Sequence, residues 1–332
     1  MTVIENARQI GSATTEHTIG RSYVHRSALS EVFLTGLEPE GADAYRACAQ
    51  FPRSHAYYGD RLCRPASYDP VLVLEFARQA ALSGAHAFYG VPFTSKFILT
   101  HQRLTILRPS ALAIGDNPVE VTAAVTTANL KTYDGAVSGL DYTMEVFFGD
   151  VPIGHSGIGL RFRDPEGYQG LRLKNREGRA PQDSRRLSPR RRGIPVDPYL
   201  VGRRDPENVI LVDAETAGNG ASARLSAPGG HPSLFDHPQD HLPGMVLIEG
   251  ARQLAVLAVG EVLGLAPTKL PILFVGAEYL RFAELEPDTE LEAVICAPTG
   301  GPVGDVIEVA VEVKQNGESV ARIGLTVGRA ET

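Results

Sequence analysis

In the run "GMVLIEGARQ", Glu249, Arg252 and Gln253 stand at positions i, i+3 and i+4 of an otherwise apolar stretch. On a helix, that spacing places a carboxylate, a guanidinium and an amide on one side. A desolvated Glu249 is expected to have a raised pKa and to act as general base toward an alcohol or an activated carbon. Arg252 is a cation for a phosphate or a carboxylate, with Gln253 beside it as a substrate contact. The same charges could instead form a structural ion pair, because unpaired charge is expensive to bury.

Upstream, "HPSLFDHPQDHLPG" crowds His231, His237 and His241 with Asp236 and Asp240 before the helix entrance at Pro243 and Gly244. A helix start directs free backbone N–H groups at whatever lies before it, which suits a developing oxyanion such as that of a thioester carbonyl. Gly244 allows close approach, so Gly244, Met245, His237 and His241 are candidate substrate contacts. The histidine spacing admits a metal ion on paper, but the intervening prolines prevent regular presentation on a helix, and no metal or other cofactor is expected. "GHSGIG" at 154–159 lacks the second glycine of a nucleophile elbow and sits in a strand-like setting. "GNGASA" at 218–223 imitates a dinucleotide loop, but no helix follows it.

These residues are positioned by a unit that the chain contains twice. "DPVLVLEFARQAALSGAHAFYGVP" at 69–92 aligns with "GMVLIEGARQLAVLAVGEVLGLAP" at 244–267, pairing Glu75 with Glu249, Arg78 with Arg252 and Gln79 with Gln253. Further upstream His55, followed by Tyr57, falls opposite His231, and "EVFLT" at 31–35 resembles "NVILV" at 208–212. Glu75 and Arg78, with His55 and Tyr57, are therefore candidates in the first copy. Each apolar run predicts a buried helix stopped by glycine and proline. Strand-like segments follow at 96–107, 119–129, 136–149 and 151–163, and again at 271–282, 289–297, 305–315 and 318–328. One buried helix with an antiparallel meander implies an α+β fold in which a sheet wraps a central helix. That is a tandem, or double, hotdog, with domains expected at 20–165 and 199–330.

The intervening 166–198 reads as a polar linker, with nine Arg or Lys between Arg172 and Arg192. It is either a solvated connector or a docking surface for an acidic partner such as an acyl carrier protein. Nucleic acid is a poor fit, because the whole chain has a formal net charge of −7. No apolar stretch suits a membrane span, and the opening residues lack a secretory signal pattern, so a cytoplasmic protein is expected. Cys48, Cys63 and Cys296 are widely spaced, which suggests neither a zinc site nor a disulfide framework.

Taken together, "DHPQDHLPGMVLIEGARQ", "VHRSALSEVFLT" and "FPRSHAYYG…LVLEFARQAALSGAHAFYGVPFTSKFIL" resemble the A-factor synthase (AfsA) hotdog family of actinobacteria. The resemblance covers about 24–163 and 200–328. It implies an acyltransferase that condenses a β-ketoacyl thioester, on acyl carrier protein or coenzyme A, with dihydroxyacetone phosphate. The phosphorylated ester then closes to a butenolide phosphate, a precursor of γ-butyrolactone-type signals. The resemblance also implies catalytic roles for Glu249, Arg252 and Glu75. Two other readings stand beside it: a hotdog β-hydroxyacyl-thioester dehydratase or hydratase, which needs no Arg252, and a non-catalytic ligand-binding regulator.

Overall fold

The computed structural model describes residues 16–187, 192–296, 299–301 and 304–328. The chain divides into two compact units, and the division does not follow chain order. One unit takes the chain up to Arg53 and then Leu72–Ala180, while the other takes Ser54–Val71 and Pro181–Thr332. Segment 54–71, which leads into the first helix and includes its first two residues, thus packs with the second repeat.

The first unit contains β1 (Leu34–Pro39), β2 (Ala44–Phe51), all but the first two residues of α1 (Pro70–Tyr89), β3 (Lys96–Ile106), β4 (Val119–Tyr133), β5 (Ala136–Phe148), β6 (Val151–Arg163) and α2 (Pro165–Asn175). Its sheet runs β1-β2-β4-β5-β6-β3, antiparallel throughout. The sheet's inner face packs on α1. Phe51 meets Phe76 edge-on at 5.9 Å, the Tyr45 hydroxyl donates to the Ala80 carbonyl at 2.9 Å, and Gln102 Nε2 donates to the Leu74 carbonyl at 3.2 Å. Gly84 makes the tyrosine contact possible, because a Cβ there would fall on the Tyr45 hydroxyl.

The second unit repeats this plan with β7 (Leu211–Ala217), β8 (Gly220–Leu225), α3 (Gly244–Leu263), β9 (Ile272–Tyr279), β10 (Thr289–Ile295), β11 (Thr299–Gly301), β12 (Gly304–Gln315) and β13 (Glu318–Gly328). Its order is β7-β8-β10-β12-β13-β9, antiparallel, with the short β11 paired to β12. Strand for strand this is the first unit's order, so the repeat seen in sequence is a repeat of topology. α3 is buried from Val246 through Val259, as its all-round apolar character predicts. The β12–β13 hairpin turns through Asn316 and Gly317, both at positive φ, the conformation that a two-residue hairpin loop of this twist requires.

Besides the three-residue β11, two strands escape the sequence reading. β2 ("AYRACAQF") and β8 ("GASARL") are short and rich in alanine, glycine and arginine, so they lack the β-branched signature. "GNGASA" accordingly forms the β7–β8 turn and the start of β8. The segment expected to be a plain linker begins with α2, capped by Asp164, whose carboxylate accepts from Gly167 N at 2.8 Å. Part of its arginine run, 188–191, lies outside the described residues. No helix among the described residues is long and apolar enough to cross a membrane.

Candidate active site

Both Glu-x-x-Arg-Gln motifs fold into the same buried knot. In the second unit Glu249 Oε1 accepts from Arg203 Nη2 at 2.9 Å and from Arg252 Nη2 at 2.8 Å, and Oε2 accepts from Arg252 Nε at 2.9 Å. Gln253 Nε2 donates to Glu249 and to the Asn208 carbonyl, while its Oε1 accepts from Ile210 N. In the first unit Glu75 is held alike by Arg26 and Arg78, and Gln79 bridges the Glu31 carbonyl and Phe33 N. Each glutamine thus ties its helix to the chain entering the edge strand. Arg26 and Arg203, supplied by that same chain, were not singled out from sequence. The signal was present in "VHR" and "VGR", which precede the two aligned strands.

This geometry reverses the raised pKa expected of Glu249. Burial alone pushes its carboxyl up, but the Arg203 and Arg252 guanidiniums and the Gln253 amide outweigh burial and hold it at about 2. Glu75 is likewise held at about 2, with Arg26 and Arg78 overcoming burial. Glu249 is fully buried and accepts five donors, four of them at Oε1, so it is an anchored carboxylate. Arg252 is equally committed. Its side chain is 4% exposed, and the remaining Nη1 lies 3.6 Å from Asp69 Oδ2, so carboxylates rather than open space face it. Arg78 differs, being 16% exposed and paired, among the described residues, with Glu75 alone.

The upstream histidines divide by role. His55 Nδ1 accepts from the backbone N–H groups of Tyr57 and Tyr58, both at 3.2 Å, and His231 Nδ1 accepts from those of Ser233 and Leu234. With Nδ1 accepting, Nε2 of His231 donates to Asn208 Oδ1 at 3.0 Å. Both rings are therefore turn caps at equivalent places in the repeat. The Tyr57 ring lies under the Arg203 guanidinium at 4.5 Å, and its backbone carbonyl accepts from Arg203 Nη1 at 2.6 Å, so segment 54–71 is clamped beside the Glu249 knot.

At the α3 entrance the arrangement is different. Pro243 offers no side-chain cap, and its carbonyl accepts from Val246 N and Leu247 N, which leaves the N–H groups of Gly244 and Met245 without partners among the described residues. By contrast Asp69, at the α1 entrance, caps its own helix by accepting from Val71 N at 2.9 Å. A carboxylate already occupies that entrance, whereas the α3 entrance is open to a developing negative charge. Two residues before it, His241 Nδ1 is hydrogen-bonded to Asp240 Oδ1 at 2.6 Å, its ring stands edge-on to Phe282 at 5.1 Å, and its side chain is 25% exposed. Nε2 of His241 has no partner among the described residues. Both ring nitrogens of His237 are engaged, Nδ1 with Asp236 at 3.2 Å and Nε2 with the Gln239 amide at 2.6 Å. The entrance thus presents a carboxylate-oriented imidazole and two free amides, the parts needed to deprotonate a nucleophile and stabilise an oxyanion.

The AfsA profile, the A-factor biosynthesis hotdog domain, matches residues 7–162 and 186–328. A 2-oxo-3-(phosphooxy)propyl 3-oxoalkanoate synthase from Streptomyces virginiae is 32% identical over 271 residues, 81% of this chain and 84% of its own length. A protein of the same name from Streptomyces griseus is 30% identical over 319 residues, 95% of this chain and 97% of its own. Among solved structures, the pyran synthase domain from module nine of the sorangicin pathway matches with a TM-score of 0.51 at 16% identity, over 90% of this chain and 98% of that one. That likeness is one of fold alone.

Proposed function

Because the chain belongs to the A-factor biosynthesis hotdog family, we propose that it is an acyltransferase joining a β-ketoacyl thioester to the free hydroxyl of dihydroxyacetone phosphate. The products are a 2-oxo-3-(phosphooxy)propyl 3-oxoalkanoate and a thiol. The observation that supports this most is the near full-length match to synthases of that name. The α3 entrance supplies the chemistry. The thioester carbonyl oxygen lies at the Gly244 and Met245 N–H groups; His241 Nε2, oriented by Asp240, takes the hydroxyl proton as the alkoxide oxygen attacks the carbonyl carbon. The tetrahedral oxyanion collapses, the carbon–sulfur bond breaks, and the thiolate leaves with the proton from His241. In the ester, the methylene between the two carbonyls then attacks the 2-oxo carbon, and loss of water closes a butenolide phosphate.

In this reading Glu249, Arg252 and Glu75 act by holding their helices, not by touching substrate. Arg78, in the first unit, is the more exposed of the two motif arginines. The thioester carrier is coenzyme A or acyl carrier protein, and the exposed Lys174, Arg179, Arg185, Arg186 and Arg192 suit steering of an acidic carrier.

The deciding experiment mixes the purified chain with dihydroxyacetone phosphate and a β-ketoacyl thioester and follows the products by mass spectrometry. The expected result is the phosphorylated ester or its dehydrated butenolide. Dehydration of a β-hydroxyacyl thioester, with no ester from any β-ketoacyl thioester, overturns the proposal in favour of a dehydratase.

A further inference from the structure

Tyr279 closes β9 with its hydroxyl turned inward. That oxygen is buried and has no hydrogen-bond partner among the described residues. It also lies against the open entrance of α3, where a Cβ built on Gly244 would fall 2.6 Å from it. Burial pushes the phenol's pKa up, so the proton stays on oxygen and the group remains a donor at any working pH. A buried hydroxyl left unpaired costs stability, and a ligand that reaches it can supply the missing hydrogen bond. Two more donors without partners, Gly244 N and Met245 N, stand at the same place. Glycine at 244 is what allows the tyrosine and the helix start to lie together.

From this juxtaposition we infer that Tyr279 is a catalytic residue, its hydroxyl donating a hydrogen bond to the thioester carbonyl oxygen alongside the Gly244 and Met245 N–H groups. The inference rests on the acyl-transfer reading for its substrate, and it adds a side-chain donor to oxyanion contacts otherwise made by backbone. As the carbonyl carbon becomes tetrahedral, the oxygen gains negative charge and the phenolic donor is worth more than in the bound ground state.

The test uses Tyr279→Phe, which removes one oxygen and keeps the ring. With a slowly reacting acyl thioester, isotope-labelled at its carbonyl, the infrared carbonyl band is expected to lie lower on the wild-type protein than on the variant. kcat for ester formation is expected to fall roughly 100-fold, while the thermal midpoint stays level or rises because an unpaired buried hydroxyl is gone. A band at the same frequency in both proteins overturns the inference whatever the turnover. So does a variant with a lowered midpoint, since that hydroxyl then has a structural partner. The band is read without dihydroxyacetone phosphate, so failure of the acyl-transfer proposal leaves this result interpretable.

Discussion

Glu249→Gln lowers the unfolding free energy by about 3–5 kcal/mol, the usual loss when one member of a buried ion pair is removed. The variant strands Arg203 and Arg252 without their shared counter-ion and turns an amide –NH2 toward guanidinium donors that need acceptors. The wild-type carboxyl drops from 4.5 to about 2 on folding, which corresponds to about 3 kcal/mol. Its folded pKa lies below the unfolded one, so this stabilisation is complete above roughly pH 4.5 and is lost as the pH falls toward 2. Glu75 makes the same contribution in the first unit, over the same window. Urea unfolding at neutral pH and again at pH 3 reads both effects. A Glu249→Gln unfolding free energy within about 1 kcal/mol of wild type at neutral pH would sink the structural reading, and a selective loss of kcat with no loss of stability would restore Glu249 as the base.

The duplicated Glu-x-x-Arg-Gln was legible because helical spacing and buried charge are local facts. The number of partners was not. Whether a buried glutamate is a base or an anchored anion depends on how many cations reach it, and Arg203 arrives from 46 residues upstream and Arg26 from 49. The helices and the eight strands after them followed from periodicity and turn residues. β2 and β8 did not, because alanine and glycine pair in a sheet only when the sheet's other strands bring them into register. Segment 54–71 reads in sequence as part of the first repeat. Its hydrogen bonds run to Arg203, Arg204 and Asn208 of the second, and nothing in its composition signals the choice. Tyr279 was invisible for the same reason: one tyrosine at a strand end has no pattern until the fold sets it beside Gly244.

The entrance histidines were legible as a cluster, and only their hydrogen bonds separate them. His241→Ala is expected to lower kcat for ester formation by roughly 100- to 10,000-fold, the range for a lost general base, with little change in stability because the side chain is partly exposed and its hydrogen bond among the described residues is to Asp240 alone. His237→Ala is expected to have far less effect on kcat, since both its ring nitrogens are engaged by Asp236 and Gln239 and neither is open to a hydroxyl proton. Asp240→Asn tests the orienting role. An amide cannot accept and stabilise the imidazolium as a carboxylate does, so kcat falls while KM for the thioester holds. Equal losses for His237→Ala and His241→Ala, or His241→Ala keeping more than about a tenth of wild-type kcat, a loss below the range for general bases, would remove the proton-transfer role from this doorway. The base would then have to be sought elsewhere, and the two amides with the Tyr279 hydroxyl would remain as the chemistry of the α3 entrance.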